Sequence, residues 1–141
     1  MASKDPLHDR LREVPMFRAL SPKQLQTLTK QADTIGVEAG KVLMHQGDVG
    51  HEVFVLLSGE VSVSVDGVEV AVLTEGEFFG ELALLDPAPR AATVTTLSPS
   101  QVLVIGEQRF RPLLEDVPQL AMQVMVGLAR RLREADARPW Q

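Results

Sequence analysis

With 141 residues the chain is the size of one domain, and 45% hydrophobic content with 4% aromatic residues predicts a core of mainly Val, Leu, Ala and Met. The absence of Cys excludes disulfides and Cys-based metal sites. A net charge of −5 argues against nucleic acid as the main partner.

The N-terminal part of the chain predicts two short helices. Residues 7–12 have an amphipathic helical pattern. The stretch Ser21-Pro22-Lys23-Gln24 then begins a second helix, because Ser can cap, Pro suits the first helical position and Gln completes a capping box. This helix is expected to continue to about Ala32, so the helical segment covers residues 1–33.

Short Val-rich runs separated by Gly and Pro follow, and this pattern is typical of strands. The run 61–65 alternates strictly between Val and Ser, which predicts one core face and one solvent face. Asp66-Gly67 comes next and is a strong β-hairpin signal. Many short strands at this spacing indicate a sandwich or barrel. Strands are expected at 34–37, 41–45, 53–57, 61–65, 68–73, 92–97 and 101–105.

The C-terminal part predicts a short helix at 108–114 and a longer one that Pro118 opens and that continues to about Ala135. The longer helix carries an apolar stripe at helical spacing. This stripe either packs on the strands or pairs with a second copy of the chain. Its residues are Leu120, Val124, Leu128 and Leu132.

Residues 78–94 combine a Gly, a carboxylate, a short apolar helical turn, a Pro-rich loop and an Arg. Gly80 permits close backbone approach to a ligand, and the first N–H groups of a helical turn suit a phosphate. Arg90 would add a permanently charged fork, whereas Glu81, which only accepts hydrogen bonds, suits a hydroxyl group. The alternative interpretation is a buried turn with a structural Glu–Arg ion pair.

The run Gly-Glu-Leu-Ala-Leu, followed by Pro-Arg-Ala-Ala-Thr-Val, resembles the phosphate-binding cassette of the cyclic nucleotide-binding domain family. That family includes protein kinase A regulatory subunits and the sensor domain of bacterial cAMP receptor protein. The resemblance covers roughly residues 15–135. It implies a mainly β fold with flanking helices, a jelly-roll-like β-barrel with N-terminal helices and a C-terminal helical lid.

By this resemblance, residues 1–141 are a single cyclic nucleotide-binding domain, with the barrel at 34–106, the cassette at 78–94 and C-terminal helices at 107–137. A stand-alone, bacterial-type domain without a helix-turn-helix is expected. The alternative, that the chain is a piece of a larger transcription factor, channel or enzyme, stays open.

The resemblance also implies the ligand contacts. The phosphate of a cyclic nucleotide would meet Arg90 and backbone N–H groups near Leu82 and Ala83, and the 2′-hydroxyl would meet Glu81. We expect cAMP rather than cGMP, because Ala91 lacks the hydroxyl that contacts guanine in cGMP-selective relatives, although cGMP stays open. The ligand-binding residues expected are Phe79, Gly80, Glu81, Leu82, Ala83, Arg90, Ala91, Ala92, Thr93, Arg131 and Ala135. Trp140 is either an aromatic lid on the base or an incidental residue of a frayed tail.

The expected function is a cytoplasmic regulatory module in which ligand occupancy moves the C-terminal helix. Its partner would be a second copy of the chain, paired through that helix, or an unidentified effector protein. The alternative is a protein-interaction module of the same fold that binds no nucleotide.

No catalytic residue, metal site or cofactor is predicted. The three His residues lack ligand spacing, and neither a phosphate-binding Walker loop nor a nucleophile elbow is present. DNA is not expected as a partner, because the chain ends without the further helices of a helix-turn-helix. No membrane attachment is expected, since no run of 18 apolar residues and no apolar signal core occurs.

Overall fold

The computed structural model describes residues 6–135, except for the side chains of residues 6, 83 and 135. The helices are α1 (Pro6–Glu13), α2 (Pro22–Gln31), α3 (Leu82–Leu85), α4 (Glu107–Asp116) and α5 (Pro118–Ala135), with a 3-10 turn at Pro15–Phe17. The strands are β1 (Asp33–Val37), β2 (Val42–Met44), β3 (Glu52–Ser58), β4 (Val61–Val65), β5 (Val68–Leu73), β6 (Phe78–Phe79), β7 (Thr93–Thr96) and β8 (Ser100–Gly106).

The strands form two four-stranded sheets, with the orders β1-β8-β3-β6 and β2-β7-β4-β5, and every pairing in both sheets is antiparallel. The prediction of a mainly β fold with flanking helices is confirmed. In the described part of the chain the two sheets share no strand, so the β-structure is a sandwich and not a closed barrel.

The core has two parts that meet at β3. Every residue from Val53 to Leu57 is buried, and the alternation of the strand sends neighbouring side chains to opposite faces. Val53 and Val55 pack among the helices, whereas Phe54 and Leu56 pack between the two sheets. The adjacent residues Phe78 and Phe79 divide in the same way. The short strand β6 therefore touches both parts of the core.

Local signals in the sequence are confirmed where they are strongest. The Ser21 hydroxyl accepts a hydrogen bond from the Gln24 N–H (3.1 Å), and the Gln24 side chain accepts one from the Ser21 N–H (2.9 Å), as in a capping box. Asp66 and Gly67 have φ angles of 52° and 81° between β4 and β5. These angles suit a type I′ hairpin turn.

Two details differ from the sequence patterns. The predicted strands did not include β6, which has only two residues and therefore no readable period. In β4 only Val61 is fully buried, and the remaining residues are all half-buried. The Ser residues are thus only partly exposed, and the Ser62 hydroxyl donates to the Glu69 carboxylate of the neighbouring strand (2.6 Å).

The apolar stripe of α5 is buried at its beginning and exposed at its end. Leu120 and Val124 are buried in the core, and Leu128 packs partly against it. Leu132 is 69% exposed. The first two turns of the helix therefore pack on the domain as one alternative predicted, and these residues are unavailable for pairing with a second copy.

Candidate functional site

A cavity of about 400 Å³ lies between the cassette, the second sheet and α5. Much of its wall is apolar and comes from strands β2, β4, β5 and β7 and from the last turns of α5. The polar side chains among its described lining residues are Glu81, Arg90, Arg131 and Glu134. The apolar lining residues are Met44, Val63, Val70, Ala71, Leu73, Phe79, Leu82, Ala91, Ala92, Val94, Leu128 and Leu132.

Gly80 allows the backbone at the start of the cassette to pass close to Arg90. Its φ angle is 87°, in the left-handed region that other residues rarely adopt. A Cβ at this position would lie 2.9 Å from both Arg90 Nη1 and the carbonyl oxygen of Glu52. The backbone therefore passes the Arg90 guanidinium at a distance that leaves no room for a side chain.

Arg90 is held from several directions, and its side chain is only 4% exposed. Nη1 donates to the carbonyl oxygens of Gly80 (2.8 Å) and Glu52 (3.1 Å). Nη2 lies 3.7 Å from the Glu52 carboxylate. Burial lowers the pKa of Arg90, while the carboxylates of Glu52 and Glu81 act in the opposite direction. The result is a buried cation with a fixed orientation.

The β2–β3 loop completes the support of Arg90. The Arg90 N–H donates to the Asp48 carbonyl (2.7 Å), and the Gly47 N–H donates to the Arg90 carbonyl (2.8 Å). A methyl group at Gly50 would overlap the guanidinium. The predicted site residues did not include Gly47, Gly50 or Glu52. Their proximity to Arg90 depends on contacts of about 40 residues' separation, such as Arg90 to Glu52.

Aromatic rings lie beside these groups. The rings of Phe54 and Phe79 stack with centroids 4.9 Å apart. The Arg90 guanidinium carbon lies 5.7 Å from the Phe54 ring centroid, within the range of a cation–π contact. The stack therefore packs against the cationic end of the cavity.

Glu81 is the buried carboxylate of the site and is 1% exposed. Its Oε1 accepts a hydrogen bond from Arg131 Nη1 at 2.9 Å. Its Oε2 is buried and has no hydrogen-bond partner among the described residues. Burial raises the pKa of Glu81, and Arg131, the Glu81 backbone N–H and Arg90 partly counteract that effect. One acceptor oxygen is thus left for another group.

Arg131 joins α5 to the cassette. Besides its contact with Glu81, its Nη2 donates to the Phe78 carbonyl, and its guanidinium carbon lies 4.6 Å from the Phe78 ring centroid. The family resemblance placed Arg131 among the ligand-binding residues. In the structure it lines the cavity while bridging two elements of the protein.

Most of the predicted site residues come together. The cavity lining includes Phe79, Gly80, Glu81, Leu82, Arg90, Ala91, Ala92 and Arg131. Thr93 lies outside that lining, and its hydroxyl accepts a hydrogen bond from the Gln46 N–H at 3.0 Å. The side chains of Ala83 and Ala135 lie outside what the structure describes, as does all of Trp140.

Only part of the apolar lining of the cavity was predicted from the sequence. Leu128 and Leu132 belong to the stripe read from the sequence, and that stripe could have indicated their role. Met44, Val63 and Val70 come from three different strands. Their convergence depends on sheet register and sheet packing, which local patterns do not reveal.

The described part of the chain limits the chemistry that the site can perform. Between residues 6 and 135 no cluster of three or more metal-ligating side chains occurs. No helix of that part has the length and apolar character needed to cross a membrane. A buried cation, a buried carboxylate and an apolar wall together suit a small ligand that carries an anionic group, a hydroxyl and a flat apolar ring system.

Comparisons with known proteins identify a family and several relatives that the chain resembles. The family described as cyclic nucleotide-binding domain matches residues 35–117, more than half of the chain. A cAMP-dependent protein kinase regulatory subunit from Hypocrea atroviridis is 37% identical over 123 residues, which cover 87% of this chain and 25% of that protein. A CRP-like cAMP-activated global transcriptional regulator from Mycobacterium tuberculosis is 28% identical and covers 86% of this chain and 56% of that protein. The chain thus spans only part of the length of these relatives.

A solved structure has the same architecture. The regulatory domain of Toxoplasma gondii PKA, co-crystallised with cAMP, superposes with a TM-score of 0.70 at 35% identity, covering 86% of this chain and 49% of that one. The resemblance noted in the cassette is therefore confirmed along most of the chain. Because the family match extends from β1 to the end of α4 with the cassette inside it, this chain belongs to the cyclic nucleotide-binding domain family.

Proposed function

We propose that the chain binds a 3′,5′-cyclic nucleotide, with cAMP favoured, in the cavity beside the cassette and acts as a regulatory module. The observation that carries this proposal is the pairing of a buried cation, Arg90, with a buried carboxylate, Glu81, that has a free oxygen in the same 400 Å³ space. That volume is within the range of small-molecule sites. The cAMP complexes among the relatives support the same ligand class.

The cationic end would take the phosphate. Gly80 and Glu52 fix the Arg90 guanidinium through its Nη1 atom, so little freedom remains to be lost when an anion binds. Backbone N–H groups of Leu82 and Ala83, at the start of α3, would add donors. A charge-assisted contact of this kind is stronger than a neutral hydrogen bond.

The carboxylate would take the ribose. Glu81 Oε2 needs a donor, and the 2′-hydroxyl of a cyclic nucleotide supplies one. A linear 5′-nucleotide carries about two negative charges, and a buried carboxylate repels the second. The geometry therefore favours the cyclic diester, which has one charge and a free 2′-hydroxyl.

The apolar wall would hold the base. Ala91 lines the cavity and has no hydroxyl to accept from the guanine amino group, and an unpaired donor costs roughly 1–3 kcal/mol. This asymmetry favours adenine over guanine. cGMP is the alternative ligand.

Ligand occupancy would be reported by α5. A donor that binds Glu81 changes the surroundings of the carboxylate that Arg131 holds, and Arg131 is part of α5. A shift from 1:99 to 99:1 between two arrangements of α5 requires about 5.5 kcal/mol of differential affinity. The module would therefore couple binding to helix movement.

The partner of α5 would be a second copy of the chain. An exposed apolar surface of α5 adjoins the buried part of the stripe, with Met125 55% exposed and Leu132, the last residue of the stripe, 69% exposed. Its apolar positions 122, 125, 129 and 132 follow the three-and-four spacing of paired helices. Light scattering with and without cAMP tests this pairing, and Met125→Lys should abolish the dimer. A wild-type protein that is monomeric in both states would point to an effector protein instead.

A protein-interaction module that binds no nucleotide is the second candidate. The observation in its favour is that Arg131 already occupies one oxygen of Glu81. Direct binding measurements separate the two functions.

A thermal melt with cAMP, cGMP and 5′-AMP is the test. A ligand at 100 times its dissociation constant adds about 2.7 kcal/mol, and this raises the melting temperature by several degrees. We expect a shift with cAMP, a smaller one with cGMP and none with 5′-AMP. Mass spectrometry of the denatured supernatant excludes nucleotide carried through purification, and no shift from nucleotide-free protein would overturn the proposal.

Variants of Arg90 extend the test. Arg90→Ala should abolish the cAMP shift, and Arg90→Lys should weaken it, because an ammonium lacks the planar fork. Arg109→Ala, which removes an exposed Arg of α4, is the matched control. A folded Arg90→Ala protein that still binds cAMP like the wild type would contradict the assigned phosphate contact.

A further inference from the structure

The cassette helix α3 is tied to α4 by one side chain. Arg111 Nη2 donates to the carbonyl oxygen of Leu84 at 2.5 Å. Leu84 is in the last turn of α3, where carbonyl groups have no partner within the helix. A cation at that end also suits the helix dipole. Arg111 thus caps the C-terminal end of the helix that follows Glu81.

The same Arg111 atom is anchored on its own helix. Nη2 also donates to Glu107 Oε1 at 2.8 Å, one turn earlier in α4. Glu107 Oε2 lies 3.4 Å from His51 Nδ1, and the Glu107 N–H donates to the His51 carbonyl at 2.8 Å. The first turn of α4 is therefore fixed to the end of the β2–β3 loop.

The residue after His51 also contacts the cassette. His51 is followed by Glu52, whose carbonyl oxygen and carboxylate both face Arg90. The cassette is thus linked to the first half of α4 at two points, through Arg90 and Glu52 at one end and through Leu84 and Arg111 at the other. A displacement of the cassette has a direct polar route to α4.

Helix α4 continues almost directly into α5. The Val117 N–H donates to the Leu113 carbonyl at 2.9 Å, and the Ala121 N–H donates to the Val117 carbonyl at 3.3 Å. Val117 is buried in the core that holds Leu120. The end of α4 is therefore packed directly against the beginning of α5, whereas Arg131 contacts Glu81 near the end of α5.

We infer that Arg111 is a positioning residue that carries displacement of the cassette helix to α4 and then to α5. The inference rests on the proposed function, since it assigns a route for the response to ligand. The simpler role for Arg111 is an exposed pair with Glu107 at i,i+4 spacing, which would only support α4. The bond to the Leu84 carbonyl is the feature that this simpler role does not require.

The test compares affinity with response. Isothermal titration calorimetry measures cAMP affinity, and hydrogen exchange measures the change in protection of residues 118–135 when cAMP binds. Arg111→Ala removes the bond to Leu84, and Arg109→Ala on the same helix is the control of equal charge change. For Arg111→Ala we expect saturable binding with affinity lowered less than about tenfold, and a protection change at least halved. Arg109→Ala should match the wild type.

Each outcome has a distinct meaning. A wild-type protection change in folded Arg111→Ala would overturn the relay and leave the binding function standing. A lower melting temperature with an unchanged response to cAMP would assign Arg111 to stability alone and would also overturn it. Failure of the wild-type protein to bind cAMP or cGMP in the calorimeter would overturn the proposed function itself.

Discussion

Arg131 Nη1 lies 2.9 Å from Glu81 Oε1, and this ion pair joins residues 50 positions apart in the chain. Glu81 is almost fully buried, whereas the Arg131 side chain is 26% exposed. A buried carboxylate that loses its only cationic hydrogen-bond partner is strongly destabilised. The pair therefore fixes the last turns of α5 to the cassette.

Because one oxygen of Glu81 is free to accept a hydrogen bond, we expect Glu81→Gln to discriminate less between cAMP and 2′-deoxy-cAMP. A hydrogen bond to a charged acceptor contributes about 1.5–3 kcal/mol, so wild-type protein should bind cAMP at least about tenfold more tightly than 2′-deoxy-cAMP. The variant should reduce that ratio while staying folded, since the two side chains have the same shape. Competition binding with both ligands measures the ratio, and an unchanged ratio would remove Glu81 from the ribose contact.

The raised pKa of Glu81 predicts the pH dependence of stability. Above the ordinary value of 4.5 the folded state holds a proton on this group more tightly than the unfolded state does. The free energy of unfolding that Glu81 contributes therefore falls as pH rises from 4.5 through the folded-state pKa. Urea unfolding of wild type and Glu81→Gln at several pH values gives the difference, which should decline with rising pH. A difference that rises with pH would mean that Arg131 outweighs burial.

Gly80 predicts a combined loss of stability and binding in Gly80→Ala. The left-handed backbone costs a non-glycine residue about 1–2 kcal/mol, and the added methyl would also displace Arg90 or the Glu52 carbonyl. Gly40→Ala is the matched control, because Gly40 has a φ of 81° but open space around it. Both variants should lose stability in urea, but only Gly80→Ala should lose cAMP affinity. Equal affinity in the two would contradict the close packing on Arg90.

We expect Gly127→Ala to destabilise the protein, although alanine favours a helix more than glycine does. Gly→Ala in a free helix adds about 1 kcal/mol of stability, but a Cβ at Gly127 would lie 2.8 Å from the Phe78 ring. Gly127→Ala should therefore lower the melting temperature and loosen α5 from the cassette. Gln123→Gly, at an exposed position of the same helix outside the proposed pairing surface, reports the intrinsic propensity. A stabilised Gly127→Ala protein would show that α5 does not pack closely on Phe78.

The elements that local patterns could predict are those held by neighbours in sequence. The capping box at Ser21 and the hairpin at Asp66 each depend on residues within four positions, and both are confirmed. The cassette was found because Gly80, Glu81 and Arg90 lie within one short segment. The family resemblance supplied its interpretation as a phosphate-binding segment, and the family match confirms that the chain belongs to that family.

The contacts that the sequence did not reveal join distant segments. Arg111 reaches Leu84 across 27 residues, and Arg90 reaches Glu52 across 38. Neither residue type nor spacing predicts such pairs, because they arise from the order of strands in two sheets. Arg131 was placed near the ligand on resemblance alone, and its pairing with Glu81 required the packed helix.

The order of strands in the first sheet has a consequence for how the domain assembles. Strand β8 lies between β1 and β3, and its register joins Asp33 to Val104 and Val53 to Ile105. Because these partners are far apart in sequence, loops of roughly fifty to seventy residues must close before the sheet exists, which slows folding. A nascent chain therefore carries the whole cassette before it has β8, and we expect β3, which holds the Glu52 carbonyl against Arg90, to be fixed in its sheet only late in folding.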